Sequence, residues 1–180
     1  MMLPSSRTYA FWLALFRIYL GLFWLEHGLG KILARPAFGA PDGPMAQFLN
    51  TMLPHTKGPY HDFLVGYVMP NLPQFGFAVE FGELVTGTLL LLGFLTPLGA
   101  LIGIVLALNY WLSKGALVGF SAYAGLDVMT AAATALCLVL PVGRFLGIDA
   151  LFARRGARPK PLPATPRPTV VVTPPPGPRA

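Results

Sequence analysis

Charged residues are scarce in this sequence. Asp, Glu, Lys and Arg make up 11% of its 180 residues, whereas a soluble domain carries about 25%. Hydrophobic residues make up 54% of the chain. So few charges cannot cover a surface that faces water, but a surface that faces lipid needs none. The composition therefore predicts an integral membrane protein with the lipid bilayer as a partner.

Cysteine and histidine are scarce as well. The one cysteine, Cys137, excludes an internal disulfide, a CxxC redox pair and a metal or iron–sulfur site built from cysteines. Of the three histidines, only His27 lies in an apolar segment, which argues against a haem held by two axial histidines of one chain. His55 and His61 are expected to be solvated loop residues. We therefore predict no metal site.

The chain has 13 basic and 7 acidic residues, and the basic excess lies near its end. No basic patch with interleaved aromatic residues occurs elsewhere, so we expect no nucleic-acid binding. Residues 153–180 are rich in proline and cannot build a core, so we predict a disordered tail with partial polyproline-II conformation. We expect this tail to lie near anionic lipid headgroups or on the cytoplasmic side. Its basic residues are Arg154, Arg155, Arg158, Lys160, Arg167 and Arg179.

Four apolar segments are long enough to cross a bilayer, for which about 20 residues are needed. The pair Thr96-Pro97 predicts that the second and third segments form an antiparallel hairpin. The first segment could instead be a signal peptide, but it is too long and no A-x-A-like cleavage site follows it. The sequence therefore predicts an all-α, four-helix transmembrane bundle in a domain of residues 1–152, with spans at residues 9–32, 75–95, 98–114 and 123–140.

Residues 33–73 are expected to form the one long loop between spans. Their seven prolines exclude a fifth span. Within the loop, Met45–Leu53 and Tyr60–Met69 are apolar enough to form short interfacial helices.

Basic residues near the helix ends predict the orientation in the membrane. An even number of spans puts both termini on one side, which has six such residues: Arg7, Arg144, Arg154, Arg155, Arg158 and Lys160. The opposite side has four: Lys31, Arg35, Lys57 and Lys114. We therefore predict a multi-pass protein of the cell membrane with cytoplasmic termini and an extracytoplasmic loop.

Ionisable residues inside apolar segments are costly, so their presence needs a reason. At about 100° per residue, Glu80 and Glu83 share a face of the second segment with small residues, and this face is expected to point into the bundle. With the predicted topology, polar residues of all four helices converge at the extracytoplasmic end. The candidate pocket consists of Glu26, His27, Glu80, Glu83 and Asp127, with Asn109 from the third helix. The sequence assigns none of them a catalytic role.

Two interpretations of these polar residues stay open. They could form a pocket that takes up or releases protons beside a lipid-soluble substrate, or a hydrogen-bonded plug that fixes helix register. Glu80 and Glu83 cannot both ionise cheaply one turn apart in lipid, so at least one should be protonated or paired with His27 or another cation. Arg17 lies at the other end, where it could contact a helix or a headgroup. The aromatic residues are interpreted as core or lipid-facing bulk.

Five segments of the chain match a known pattern in their order and spacing, and together they resemble the DoxX/DoxD-like family, in particular the DoxD-type subunit of thiosulfate:quinone oxidoreductase. The segments are RIYLGLFWLEHGLGKI at Arg17–Ile32, GPYHDFLVGYVMPN at Gly58–Asn71, FGELVTGTLLLLGFLTPLGAL at Phe81–Leu101, LNYWLSKG at Leu108–Gly115 and GRFLGIDALFARR at Gly143–Arg155. The resemblance implies a four-helix membrane bundle, quinone as electron acceptor and a second oxidoreductase subunit as partner. It assigns no role to an individual residue.

The leading hypothesis is therefore a membrane subunit of a quinone-linked oxidoreductase. A second hypothesis is a non-catalytic scaffold or assembly factor that holds a redox enzyme at the membrane. A third is a transporter of protons or small solutes, which is disfavoured because the spans show no internal repeat and no broken helix. Whether the chain is itself an enzyme stays open at this point.

Overall fold

The structure, a computed structural model, describes residues 6–115, 125–140, 142–144 and 146–151. In this part of the chain the regular structure is helical and no strand occurs, which confirms the predicted all-α class. The predicted tail, residues 153–180, lies outside the described residues. The α-helices are α1 (Ser6–Ile32), α2 (Pro44–Met52), α3 (Pro59–Phe63), α4 (Leu72–Leu92), α5 (Thr96–Ser113) and α6 (Leu126–Val139).

Three helical stretches among the described residues are long and apolar enough to cross a membrane: Arg7–Ile32, Pro59–Leu92 and Thr96–Ser113. The fourth predicted span corresponds to α6, which has 14 residues. At 1.5 Å per residue α6 is about 21 Å long, which is shorter than the hydrocarbon core of about 30 Å. Its predicted start at residue 123 lies outside the described residues. The structure thus shows three candidate spans, and the count of four stays a prediction.

Glycines bring α1 and α4 into direct backbone contact. A Cβ atom at Gly21 would lie 2.5 Å from the backbone nitrogen of Leu91, and one at Gly87 would lie 2.6 Å from that of Leu25. In α5, a Cβ at Gly103 would lie 2.8 Å from Cγ2 of Thr86 on α4. Small residues at these positions let helices approach closely, as is typical of membrane bundles.

The predicted hairpin connects α4 and α5. Gly93 adopts a left-handed conformation with φ of 62°, and the backbone nitrogens of Gly93 and Phe94 donate to the carbonyls of Leu90 and Leu89. This is the Schellman arrangement that commonly ends an α-helix, and it favours glycine at that position. We call the end of the bundle that holds this connection the turn end.

The opposite end, which we call the loop end, holds α2 and α3. Both predicted loop helices occur. The second one, however, continues into α4 instead of ending within the predicted loop. From Pro59 the chain stays helical through a π-helical turn (Leu64–Val68) and a 3-10 turn (Met69–Asn71) into α4. The prolines are compatible with these helices because Pro44, Pro59 and Pro73 lie in first turns, where a backbone donor is not needed.

The loop end has an apolar cluster of its own, separate from the main core between α1, α4, α5 and α6. Met45, Ala46 and Leu49 of α2 pack there against the helical segment that leads into α4. The loop also touches α4 directly, since a Cβ at Gly76 would lie 2.5 Å from Cα of Gly39. The loop helices therefore cover this end of the bundle.

Candidate functional site

Glu83 of α4 is a fully buried carboxylate that faces the loop-end turns of α1 and α5. Lys31 Nζ, from α1, lies 2.8 Å from Oε1 and 2.7 Å from Oε2 of Glu83. The hydroxyl of Tyr110, from α5, donates to Oε1 at 2.7 Å. Side chains of three helices thus meet at one carboxylate, and we call them the Lys31–Glu83–Tyr110 group.

The surroundings of Lys31 explain how this charge is accommodated. Its side chain is 17% exposed, and Nζ lies 5.5 Å from the ring centre of Phe38 and 5.4 Å from that of Tyr110. An ammonium over an aromatic face is attracted to the ring. A buried ion pair is tolerated when further hydrogen bonds satisfy its remaining groups, and Tyr110 supplies one to the carboxylate.

A cavity of about 250 Å³ lies between the loop helices and the helices α4 and α5. Its walls are mostly aromatic and aliphatic, including Phe48, Leu64 and Phe75. Tyr110 forms part of the wall on the α5 side. We call this space the apolar cavity.

One edge of the apolar cavity is closed by a contact between α3 and α5. The hydroxyl of Tyr60 donates to the side-chain oxygen of Asn109 and lies 3.1 Å from its backbone oxygen. Phe63 and Val105 line the cavity and are also exposed on the outer surface of the bundle. The cavity therefore reaches the surface beside this contact, between Phe63 of α3 and Val105 of α5.

A second, smaller cavity of about 50 Å³ lies on the other side of Tyr110, between α1, α5 and α6. His27, Glu83, Tyr110 and Asp127 line it, so we call it the polar cavity. Asp127 Oδ2 lies 2.7 Å from Nζ of Lys114, an ion pair that joins the end of α5 to the start of α6. Tyr110 belongs to both cavities and separates them.

The structure brings together three of the five residues of the predicted pocket, namely His27, Glu83 and Asp127. Glu80 lies one turn from Glu83 but faces another cavity, beside loop residues 37–41. Glu26 is exposed and does not line the polar cavity. The two carboxylates of α4 thus do not share a site, and the cation beside Glu83 is Lys31 rather than His27.

Lys31 and Tyr110 belong to the site but were not predicted as members of it. Lys31 was interpreted as a charge that flanks the first span, although its spacing from Trp24 and Gly28 places it on the inward face of α1. Tyr110 carries no sequence signal that sets it apart from the lipid-facing aromatic residues. Within the described residues, no three His, Cys, Asp or Glu side chains are grouped so that they could hold a metal ion.

Arg17 is buried at the turn end, where it meets backbone oxygens. One terminal nitrogen, Nη1, donates to the carbonyls of Leu90 and Leu91, and Nη2 donates to that of Leu146 at 2.9 Å. Of the two roles that the sequence allowed, the structure supports contact with other helices rather than with headgroups.

The match to a known family covers most of the chain. A family model described as "TQO small subunit DoxD" matches residues 12–160, from the first turns of α1 to beyond α6. No curated protein and no solved structure matches the chain. Together with its long apolar helices, the match shows that the chain is a multi-pass membrane protein that belongs to the DoxD family.

Proposed function

We propose that this chain is the membrane subunit of a quinone-linked oxidoreductase of the thiosulfate:quinone type, and that the apolar cavity admits the quinone ring. The observation that carries the proposal is Tyr110, which forms a wall of the apolar cavity and hydrogen-bonds the buried Glu83. The family description supports the assignment to such a complex. A second subunit would supply the site for thiosulfate.

The chemistry of the apolar cavity suits the head of a quinone. Ligand sites for small molecules are mostly apolar, with a few polar groups that fix orientation. Here the walls are aromatic and aliphatic, and the polar groups at the α5 side are those of Asn109, Tyr110 and Ser113. A volume of about 250 Å³ is enough for a ring, while an isoprenoid tail would stay in the lipid through the opening beside Val105.

Reduction of a quinone to a quinol takes two electrons and two protons. Two thiosulfate ions that join through a new S–S bond as tetrathionate supply the electrons. For each proton, the hydroxyl of Tyr110 turns from Glu83 to the substrate oxygen, its O–H bond breaks, and a new O–H bond forms on the substrate. The ammonium of Lys31 then replaces it through Glu83, since all three groups are joined by hydrogen bonds. The chain thus acts as a general acid, for which a positioned donor within hydrogen-bond reach is required.

Quinone binding to the full chain tests the proposal. The chain in lipid nanodiscs is titrated with a short-tailed quinone, and binding is followed by the rise in melting temperature. Val105→Trp should block the opening and weaken binding by at least about tenfold, which corresponds to 1.4 kcal/mol. Leu101→Trp is the matched control, because Leu101 is also exposed on α5 but does not line the cavity.

Two results would contradict this role. One is a wild-type chain that shows no quinone binding at all. The other is equal binding by the Val105→Trp and Leu101→Trp chains, because binding would then not involve the apolar cavity.

The orientation of the bundle belongs to the same proposal. The basic residues near the helix ends favour cytoplasmic termini and an extracytoplasmic loop end in the cell membrane. Reporter fusions at the C-terminus and within residues 38–60 should then report opposite sides. Fusions that both report the same side would contradict this orientation and the even number of spans.

A further inference from the structure

The polar cavity connects the buried Glu83 to the loop end of the bundle. Glu83 is fully buried, whereas His27, which lines the same cavity, is exposed. His27 lies five residues before the end of α1, about 7.5 Å along the helix axis. Asp127 lies in the first turn of α6, and its partner Lys114 directly follows α5. The cavity therefore runs from the level of the helix ends to the Lys31–Glu83–Tyr110 group.

The size and lining of the polar cavity suit water. A cavity needs about 10–15 Å³ and two to four polar partners to hold one water molecule. The polar cavity has about 50 Å³, and its polar lining groups come from α1, α4, α5 and α6. The rest of its wall is apolar and consists of Phe23, Trp24, Ala107 and Leu126.

His27 is held in a form that can accept a proton. Its Nδ1 lies 2.8 Å from the carbonyl oxygen of Phe23. A neutral imidazole has one donor and one acceptor nitrogen, and a carbonyl can only accept. In the neutral ring Nδ1 therefore carries the hydrogen, and Nε2 keeps the lone pair that can bind a proton.

Asp127 supplies a second proton-accepting group at the rim. Its side chain is 14% exposed and pairs with Lys114, which is 43% exposed. This carboxylate therefore lies between the solution and the cavity interior. The charged and titratable groups around Glu83 in this region are Lys31 and His27 from α1, Tyr110 from α5 and Asp127 from α6.

From this arrangement we infer that the polar cavity is a proton path from the solution at the loop end to Glu83, with His27 and Asp127 as its entrance. A proton binds Nε2 of His27, passes through water in the cavity and reaches the Lys31–Glu83 pair, after which His27 is neutral again. Two such transfers restore the two protons taken up by each quinone. The destination of the proton rests on the proposed function, but the path is a property of this chain alone.

The experiment measures proton arrival at Glu83 without any turnover. The full chain in proteoliposomes is rapidly acidified, and the infrared carboxyl band that Glu83→Gln removes is followed with time. His27→Ala should slow the appearance of this band by at least about tenfold, in line with the loss of a positioned proton-transfer group. Added imidazole should restore the rate, which a merely structural role of His27 would not predict.

Two further variants define the entrance. Asp127→Asn should also slow the band, because it removes the carboxylate at the rim. Glu26→Gln is the matched control, since Glu26 is the exposed neighbour of His27 and does not line the cavity. Its rate should equal that of the wild type.

Either of two results would contradict the proposed proton path. An unchanged rate in both His27→Ala and Asp127→Asn would do so, and so would a wild-type chain in which no Glu83 band appears. Quinone titration of the same samples separates this outcome from failure of the proposed function. A chain that binds no quinone but shows the imidazole-rescued delay keeps the path and loses the proposed function.

Discussion

The two ends of the bundle each bury a charged side chain, and they satisfy it in different ways. At the turn end, the guanidinium of Arg17 meets carbonyl oxygens of the backbone. Leu90 and Leu91 lie in the last turn of α4, where the helix dipole is negative and favours a cation. At the loop end, Glu83 meets side chains of other helices, Lys31 and Tyr110.

Packing around the two charges differs as well. A Cβ atom at Gly93 would lie 2.5 Å from Nη1 of Arg17, so the connection after α4 is pressed against the guanidinium. Glu83 instead lies beside the polar cavity and one side chain away from the apolar cavity. A buried charge with backbone partners and close packing stabilises the fold. A buried charge with titratable partners and adjoining space can also exchange protons.

The largest expected effect comes from removing the carboxylate at the loop end. Glu83→Leu leaves Lys31 without a counter-ion and Tyr110 without an acceptor, and breaking a buried pair costs about 3–5 kcal/mol. Glu83→Gln also leaves Lys31 without a counter-ion, but it keeps the size of the side chain and an acceptor for Tyr110. It should therefore lose less stability than Glu83→Leu and still lose proton-linked activity. Thermal unfolding in detergent compares the two variants with the wild type. Equal stability of both variants, or a fully active Gln variant, would show that Glu83 is not the centre of the site.

The next effect tests the turn end. Arg17→Met removes the donors to three carbonyls, and unsatisfied buried acceptors cost about 1–3 kcal/mol each. We expect a loss of about 2–4 kcal/mol in unfolding free energy, because carbonyls at a helix end can partly find water. Quinone affinity should not change in the folded fraction. Arg7→Met, at an exposed position of the same helix, serves as the control.

A change in the quinone affinity of Arg17→Met would contradict a purely structural role of the turn end. It would mean that the turn end takes part in ligand binding at the loop end.

A smaller effect is expected from Asp149, which caps α5 from a distant part of the chain. Its carboxylate accepts from the backbone nitrogens of Leu95 and Thr96 at 2.9 and 3.1 Å and from the Thr96 hydroxyl at 2.8 Å. Asp149→Ala should lower the unfolding free energy by about 1 kcal/mol, as is typical for a lost helix cap. Asp42→Ala, at an exposed loop position, should leave the melting temperature unchanged. If the melting temperature of Asp149→Ala were as unchanged as that of Asp42→Ala, the contact of Asp149 with α5 would not stabilise the turn end.

The smallest effect on stability is expected at the edge of the apolar cavity. Tyr60→Phe removes the hydrogen bond to Asn109, and such bonds average about 0.6 kcal/mol in membrane proteins. Because this contact joins α3 to α5 beside the opening, its loss should speed the association of a short-tailed quinone. Stopped-flow binding compares this variant with Tyr67→Phe, whose side chain is exposed. An unchanged association rate would mean that α3 and α5 do not control entry.

Local patterns in the sequence were enough to predict the helices and part of the site. Apolar runs and the Thr96-Pro97 break depend on neighbours along the chain, so the helical class and the hairpin followed from them. Helical periodicity and an antiparallel order of spans also brought His27, Glu83 and Asp127 to the same end of the bundle. The continuation of the second loop helix into α4 was not predicted, because prolines in first turns do not interrupt a helix.

What the sequence by itself determined is therefore a helical membrane protein with ionisable residues near one end. Only the tertiary structure decided which of them meet. Glu80 and Glu83 are about 60° apart on α4, and the packing of residues 37–41 onto Gly76 takes one carboxylate to the loop while the other enters the core. Lys31 and Tyr110 become partners of Glu83 because α1 and α5 approach α4 from different sides. That approach depends on contacts between residues far apart in the chain, which no local pattern records.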